Sequence, residues 1–138
     1  MHCRFARIED CPLLGELNHQ LVHDEGHRNT MTVPQLAKRM AGWLGGEYRA
    51  VIFEEGGTVA GYALYRTEPE YVYLRQLFVQ SGMRRRGIGR QALEWLRQNA
   101  WREASPVRID VLVDNTAAQA FWRAVGFRDY CITMEADR

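Results

Sequence analysis

Residues 71–96 read YVYLRQLFVQSGMRRRGIGRQALEWL, and the change of period inside this run decides the fold. The first part, "YVYLRQLFV" at 71–79, is apolar on both alternating faces apart from Arg75 and Gln76. Burial on two faces predicts an interior strand. After a short turn the apolar residues fall at Ile88, Ala92, Leu93, Leu96 and Ala100, one stripe of a helix opened by Gly87-Ile88-Gly89. "VRIDVLV", 107–113, returns to a strand pattern. Strand, helix and strand in this order make a β-α-β unit, so 71–79 and 107–113 are expected to run parallel.

Outward from this unit the chain supplies the rest of a sheet. "CRFARI", 3–8, reads as a first strand, and Leu13, Leu14, Leu17, Leu21 and Val22 keep helical spacing after Asp10. Thr32 is placed to cap a second helix, "VPQLAKRMAGWL", with Pro34 in its first turn, where a missing N–H costs little. "YRAVIFEE", a Gly56-Gly57 turn and "TVAGYALYRTE" predict a β-hairpin. Asp114 or Asn115 caps a helix through "TAAQAFWRAVGF", Gly126 ends it, and "RDYCITMEA" is expected to be a last strand. The expected class is α/β, in the α+β sense: a mixed, mostly antiparallel sheet with helices on both faces, residues 1–138 forming a single domain.

Composition narrows the function. The chain has 138 residues, 46% hydrophobic and 25% charged, which suits a globular protein with a real core. Net charge is only +1, from 18 basic and 17 acidic residues, so the tri-arginine at 84–86 is a local feature. Nucleic-acid-binding chains carry a larger basic excess, and no nucleic-acid partner is expected. No apolar run reaches the length of a membrane span, and the N-terminus has no apolar signal segment. Cys3, Cys11 and Cys131 are odd in number and far apart, which fits a reducing cytoplasm.

A strand followed by glycines in the first turn of a helix suits an anion. The first N–H groups of a helix lack internal partners and lie at the positive end of its dipole. Gly87 and Gly89 let a phosphate approach the backbone; Arg84, Arg85, Arg86 and Arg90 add charge and forked donors. The alternative is a tight turn with arginines on a solvated face. The dinucleotide fingerprint fails after Gly89, and no Gly-Lys pair supports a nucleotide P-loop.

Arg84-x-x-Gly87-x-Gly89 after "LRQLFV" resembles the [RQ]-x-x-G-x-[GA] acyl-CoA motif of the GNAT superfamily of N-acetyltransferases. "NTAAQAFWRAVGF", 115–127, is similar to that superfamily's N-x-x-A-x-x-[FY]-Y-x-x-x-G-F segment. The element order agrees over nearly the whole chain. The resemblance implies acetyl-CoA as co-substrate, in a cleft where strands 71–79 and 107–113 splay apart. It implies that backbone groups of Leu77, Phe78 and Val79 bond the pantetheine arm, and that the amides from Arg85 through Ile88 to Arg90 hold the pyrophosphate. Asn115, Phe121 and Trp122 would lie toward the pantetheine or its thiol end. An amine would attack the thioester carbonyl directly in a ternary complex.

The sequence departs from that pattern twice. Trp122 stands where relatives commonly carry a tyrosine acid, and an indole donates a hydrogen bond but no proton. Arg75-Gln76 stands where many relatives carry a mid-strand carboxylate. Gln76, Trp122 and Tyr130 are therefore the candidate catalytic positions, with Tyr73 or water as substitutes for the acid. Arg75 either binds an acidic substrate group or pairs with a carboxylate. A non-catalytic acyl-CoA-binding module is the alternative function.

His19, His23 and His27 recur every fourth residue, but the order H-E-x-x-H is not met and Gly26 interrupts the helix. No metal is expected. The resemblance places this segment beside the acceptor, so His23, Asp24 and Glu25 are expected to admit a cationic amine, with Tyr73 and Arg75 near it. The acceptor would be a small-molecule or peptide amine. A homodimer through the sheet edge or the final strand is a further expectation.

Overall fold

The computed structural model of the chain describes residues 1–26 and 28–138. Strand β1 (His2–Phe5) leads to helices α1 (Cys11–Asp24) and α2 (Val33–Leu44). Strands β2 (Tyr48–Glu55), β3 (Thr58–Thr67) and β4 (Val72–Val79) follow, then helix α3 (Ile88–Asn99), strand β5 (Val107–Arg108) and helix α4 (Thr116–Ala124). The five strands lie in sequence order, antiparallel from β1 to β4 and parallel between β4 and β5.

Local chemistry accounts for the element boundaries. Thr32 Oγ1 accepts from the Gln35 N–H (3.3 Å) while Gln35 Oε1 accepts from the Thr32 N–H (2.8 Å), a reciprocal cap on α2. Gly56 and Gly57 take φ of 59° and 80°, the left-handed pair a tight hairpin needs. The first strand stops at Phe5, short of the expected residue 8, because residues 8–10 form a single 3-10 turn. There the Asp10 carboxylate accepts the Arg7 N–H and two guanidinium N–H groups of Arg4.

Alternation along the strands divides the core. Leu14, Leu17, Leu21 and Met40 from α1 and α2 pack on Ala50, Ile52, Tyr62 and Leu64. Ile88, Ala92, Leu93 and Leu96 from α3, with Trp122 from α4, pack on Val51, Phe53, Tyr65 and Leu74 on the opposite face. Burial of each such side chain is worth roughly 1.5–3 kcal/mol, and this is what fixes the helices to the sheet.

Two irregularities shape the far side of the sheet. In β4, Leu74 opposes Tyr65 and Gln76 opposes Leu64, leaving Arg75 as an extra, bulged residue. The parallel pairing of β4 with β5 involves only Val72 with Val107 and Tyr73 with Arg108. Beyond these the two segments part.

Two expected strands are corrected. The 107–113 run forms a ladder only at Val107–Arg108, because residues 109–113 leave β4 and meet no other strand. Residues 128–136 form no strand at all, and Tyr130, Ile132 and Met134 are 64%, 78% and 85% exposed. An alternating sequence makes a segment competent for pairing but does not supply the neighbour. Arg108 Nη2 donates to Tyr130 Oη (3.0 Å) and its guanidinium covers the Tyr130 ring at 4.5 Å. Long side chains thus bridge two segments that no main-chain hydrogen bond joins among the described residues.

Candidate active site

The site is built where β4 and β5 diverge. From Leu74 onward β4 is paired with β3 alone, so its other edge, past Leu77, Phe78 and Val79, faces an open cleft. The N-terminus of α3 stands at one end of that cleft. Its first main-chain bond runs from the Gln91 N–H to the Gly87 carbonyl (3.0 Å), so the N–H groups of Ile88, Gly89 and Arg90 have no partner within the helix. Arg85 and Gly87 both adopt left-handed backbone (φ 65° and 73°), which turns successive amides into a concave cradle.

The two glycines serve different ends. A Cβ on Gly87 would meet nothing closer than Gln91 Nε2 at 3.8 Å, so its requirement is the positive φ. A Cβ on Gly89 would lie 3.0 Å from Phe121 Cζ, so here the requirement is close packing of α3 on α4.

The four arginines divide as well. Arg84 Nε donates to the Val79 carbonyl (2.8 Å) and Nη2 to Asp24 Oδ2 (2.7 Å), so its side chain ties the end of β4 to the end of α1. Arg85, Arg86 and Arg90 are exposed and form no ion pair among the described residues. Free amides, absent side chains and three uncommitted guanidinium groups suit a diphosphate, and the open β4 edge suits an extended amide arm. These residues fit coenzyme A.

The remaining expected residues divide between core and surface. Asn115 caps α4, its Oδ1 accepting from the Ala118 N–H at 3.1 Å. Trp122 is 7% exposed, edge-on to Phe121 and Phe127, and so belongs to the core beneath the cleft. Tyr130 lies outside the cleft floor on Arg108. His19 and His23 are exposed on α1, and His27 lies outside the described residues. No group of three metal-ligating side chains occurs among the described residues. Asp24 is held by Arg84, so its charge is partly neutralised.

Where β4 and β5 part, Tyr73 Oη donates to Oδ2 of the exposed Asp110 at 2.8 Å. Burial, then this bond and the carboxylate's charge, push the Tyr73 phenol up to about 12. Gln76, on the face of α1 and α2, accepts from Tyr62 Oη at 2.7 Å. Tyr62 is fully buried, and burial raises its pKa well above the ordinary value, so it remains a neutral donor. Beside them Arg39 Nη2 donates to Asn18 Oδ1 (2.9 Å), and Arg75 lies over Trp43 and Tyr48.

Sequence reading missed Asn18, Arg39 and Asp110 as members of this region, and it did not single out Tyr62 among the strand tyrosines. Asp110 was legible as the polar residue alternating inside "VRIDVLV". Asn18 and Arg39 sit in helical stripes whose polar face gives no hint of what it meets.

Known proteins agree with this geometry. The profile of the acetyltransferase (GNAT) family matches residues 17–127. The N-alpha-acetyltransferase RimI of Mycobacterium tuberculosis (strain ATCC 25618 / H37Rv) is 39% identical over 77 residues, 53% of this chain and 48% of that protein. The match thus spans about half the length of that curated relative. Among solved structures, a mutant of the BH1408 protein from Bacillus halodurans superposes with a TM-score of 0.81 at 24% identity, covering 100% of this chain and 99% of the other. A predicted acetyltransferase from Clostridium acetobutylicum, solved with acetyl-CoA, gives 0.75 at 17% identity over 99% and 95%. Such identities speak for the fold; the matched profile, covering most of the sequence, speaks for descent, and the chain belongs to the acetyltransferase (GNAT) family.

Proposed function

We propose that residues 1–138 act as one N-acetyltransferase domain, moving an acetyl group from acetyl-CoA to a primary amine. The observation that carries this reading is the divergence of β4 from β5 beside the partnerless amides of Ile88, Gly89 and Arg90. Acetyl-CoA, when bound, supplies the acetyl thioester: the amine nitrogen bonds to its carbonyl carbon, the C–S bond breaks, and the amine loses a proton. The amides from Arg85 to Arg90, with the side chains of Arg85, Arg86 and Arg90, hold the pyrophosphate. Main-chain groups of Leu77, Phe78 and Val79 hold the pantetheine arm, and Phe121 lines the same side through its contact with Gly89.

Orientation in the cleft supplies much of the rate. Main-chain N–H groups at the Arg75–Gln76 bulge polarise the carbonyl, and Gln76 is oriented by Tyr62. Asp110, where β4 and β5 part, receives the amine's proton, with Tyr73 between it and the sheet. Trp122 and Tyr130 act in this scheme as packing residues, Trp122 setting the place of Phe121. Absence of a tyrosine at 122 slows thiolate release without abolishing it, because a thiol of pKa near 8.5 leaves readily at neutral pH. The buried Trp122 is also what favours the second reading, a slow or non-catalytic acyl-CoA-binding module.

The RimI relative is named for N-alpha-acetylation, and a peptide amine as well as a small-molecule amine belongs to this proposal. His23, Asp24 and Glu25 border the acceptor's entrance. Three free cysteines favour the cytoplasm; no helix among the described residues is long and apolar enough to cross a membrane. The unpaired arm at 128–138 favours a homodimer.

Calorimetric titration with acetyl-CoA, with ATP, NAD and a short DNA duplex in parallel, tests the core of the reading. One-to-one micromolar binding of acetyl-CoA alone supports it, and thiol release with a panel of amines separates enzyme from binding module. Folded protein that ignores acetyl-CoA overturns it.

A further inference from the structure

On the α1 and α2 side of the sheet two guanidinium groups converge with no carboxylate ion-paired to either among the described residues. The β4 bulge directs Arg75 and Gln76 toward α1 and α2, where Arg75 meets Trp43 and Tyr48 and Gln76 meets Tyr62. From α2, the Arg39 guanidinium lies 4.5 Å from the centre of the Trp43 ring, and that of Arg75 lies 4.8 Å from the same ring. Five other arginines, Arg4, Arg28, Arg66, Arg84 and Arg123, each have a carboxylate within 4.0 Å. No described carboxylate forms such a pair with Arg39 or Arg75; the bond Arg75 does make is to Tyr48 Oη, at 3.3 Å.

Buried donors without partners accumulate at the same place. Asn18 is fully buried and its Nδ2 has no hydrogen-bond partner; it approaches the Tyr62 oxygen without reaching bonding geometry. Arg39 Nε is likewise buried and unpartnered. Burial, then the charge of Arg75, lower the Arg39 pKa, the signature of two cations facing one region without an anion between them. Glu25, at the end of α1, acts on the same Tyr62 as Arg39 does, with the opposite sign. Aromatic faces attract guanidinium groups but do not neutralise them. Two guanidinium groups bonded only to neutral oxygens, with buried donors left over beside them, describe a site awaiting an anion, because native interiors otherwise satisfy such groups.

We propose that Arg39 and Arg75, seated over Trp43, bind a carboxylate or phosphate carried by the amine acceptor, so that the substrate class is an amine bearing an anionic group. This rests on the acetyl-transfer reading above and names the substrate class of that site. The bulge residue Arg75 precedes Gln76 on the open stretch of β4, so an anion held there keeps an amine of the same molecule beside the cleft. A solvent cleft of about 510 Å³, lined by Thr30, Met31, Gln35, Lys38 and Arg39, reaches Arg39 from outside and carries a further positive charge.

The test compares acceptors that differ in the anion alone: dipeptides against their C-terminal amides, and phosphoethanolamine against ethanolamine. At least a tenfold higher kcat/KM for the anionic member is expected in either pair, and which pair responds separates carboxylate from phosphate. Arg75→Gln should raise KM for that acceptor at least tenfold and leave KM for acetyl-CoA unchanged, with Arg75→Lys intermediate. Equal use of both members, or a preference that survives Arg75→Gln, overturns the proposal. Should no acceptor turn over, acetate and inorganic phosphate are titrated into the CoA-saturated protein by calorimetry. Binding lost in Arg75→Gln then supports the site; no Arg75-dependent binding overturns it. Protein that ignores acetyl-CoA yet binds these anions through Arg75 refutes the acetyltransferase reading and leaves the anion site standing.

Discussion

At the scale of single residues the cleft is defined by backbone conformation as much as by charge. Arg85 holds φ at 65°, a left-handed conformation that disfavours any side chain by about 1 kcal/mol. Arg85→Gly should therefore leave stability unchanged or raise it by up to about 1 kcal/mol in urea titration, the entropy of glycine offsetting part of the relief. The same variant should weaken acetyl-CoA binding, and loss of affinity without loss of stability marks Arg85 as a ligand-facing residue. A variant that is destabilised and binds normally would refute both halves. Tyr73 carries a second prediction. Its phenol is raised to about 12 from an ordinary 10, by burial first and Asp110 second. A raised folded pKa means the native state holds its proton more tightly, so the stabilisation is complete below pH ~10 and disappears as pH climbs through about 12. Absorbance titration should find wild type and Tyr73→Phe ionising the same number of tyrosines up to pH ~11, given the ordinary phenol value. One fewer ionisation in the variant near pH 10 would show Tyr73 to be unperturbed.

At the scale of elements, helix α3 joins core and site in one piece, because the stripe that buries Leu96 also orients the amides at its start. Leu96 is fully buried, so Leu96→Ala should destabilise the fold by about 2–5 kcal/mol in denaturant titration. The Arg84–Asp24 tie between β4 and α1 is a contrasting case: its partners are 45% and 32% exposed. Asp24→Asn should change stability by less than about 1 kcal/mol, as exposed ion pairs do. Equal effects from the two substitutions would mean that the ion pair holds the site as firmly as the buried stripe does. These elements were legible in the sequence because their signals are local. The Thr32–Gln35 cap, the Gly56-Gly57 turn and the Gly87 helix start each close hydrogen bonds within a few residues. The bulge at Arg75 was not legible, since it is a property of the register between two strands. Nor was the Arg39–Trp43–Arg75 cluster, whose side chains come from α2 and β4, elements far apart in the chain.

At the scale of the whole molecule, the departure from expectation is the arm at 128–138, and its physical reason is informative. Ile132 and Met134 alternate with polar residues as a strand should, yet both edges of the segment are unpaired. Residues 109–113 likewise join no strand among the described residues; Leu112 and Val113 are 52% and 81% exposed, and their carbonyls accept from Gln119 Nε2. Arg108 reaches Tyr130 through its side chain, and no main-chain bond joins the two segments among the described residues. Exposed apolar edges of this kind are templates for pairing with another chain. In a two-fold dimer each chain's arm would enter the other's gap, pairing with residues 109–113 of its partner and covering Ile132, Met134, Leu112 and Val113 together. Light scattering of the full chain should give twice the 16.0 kDa monomer mass. Ile132→Lys should shift the protein toward monomer, and removal of residues 129–138 should leave a folded monomer whose acetyl-CoA affinity survives, since α3 and β4 lie outside the exchanged arm. A wild-type monomer at concentrations on the order of 100 μM, well above the Kd of specific interfaces, would eliminate the exchange. The exposed arm would then need a partner other than this chain.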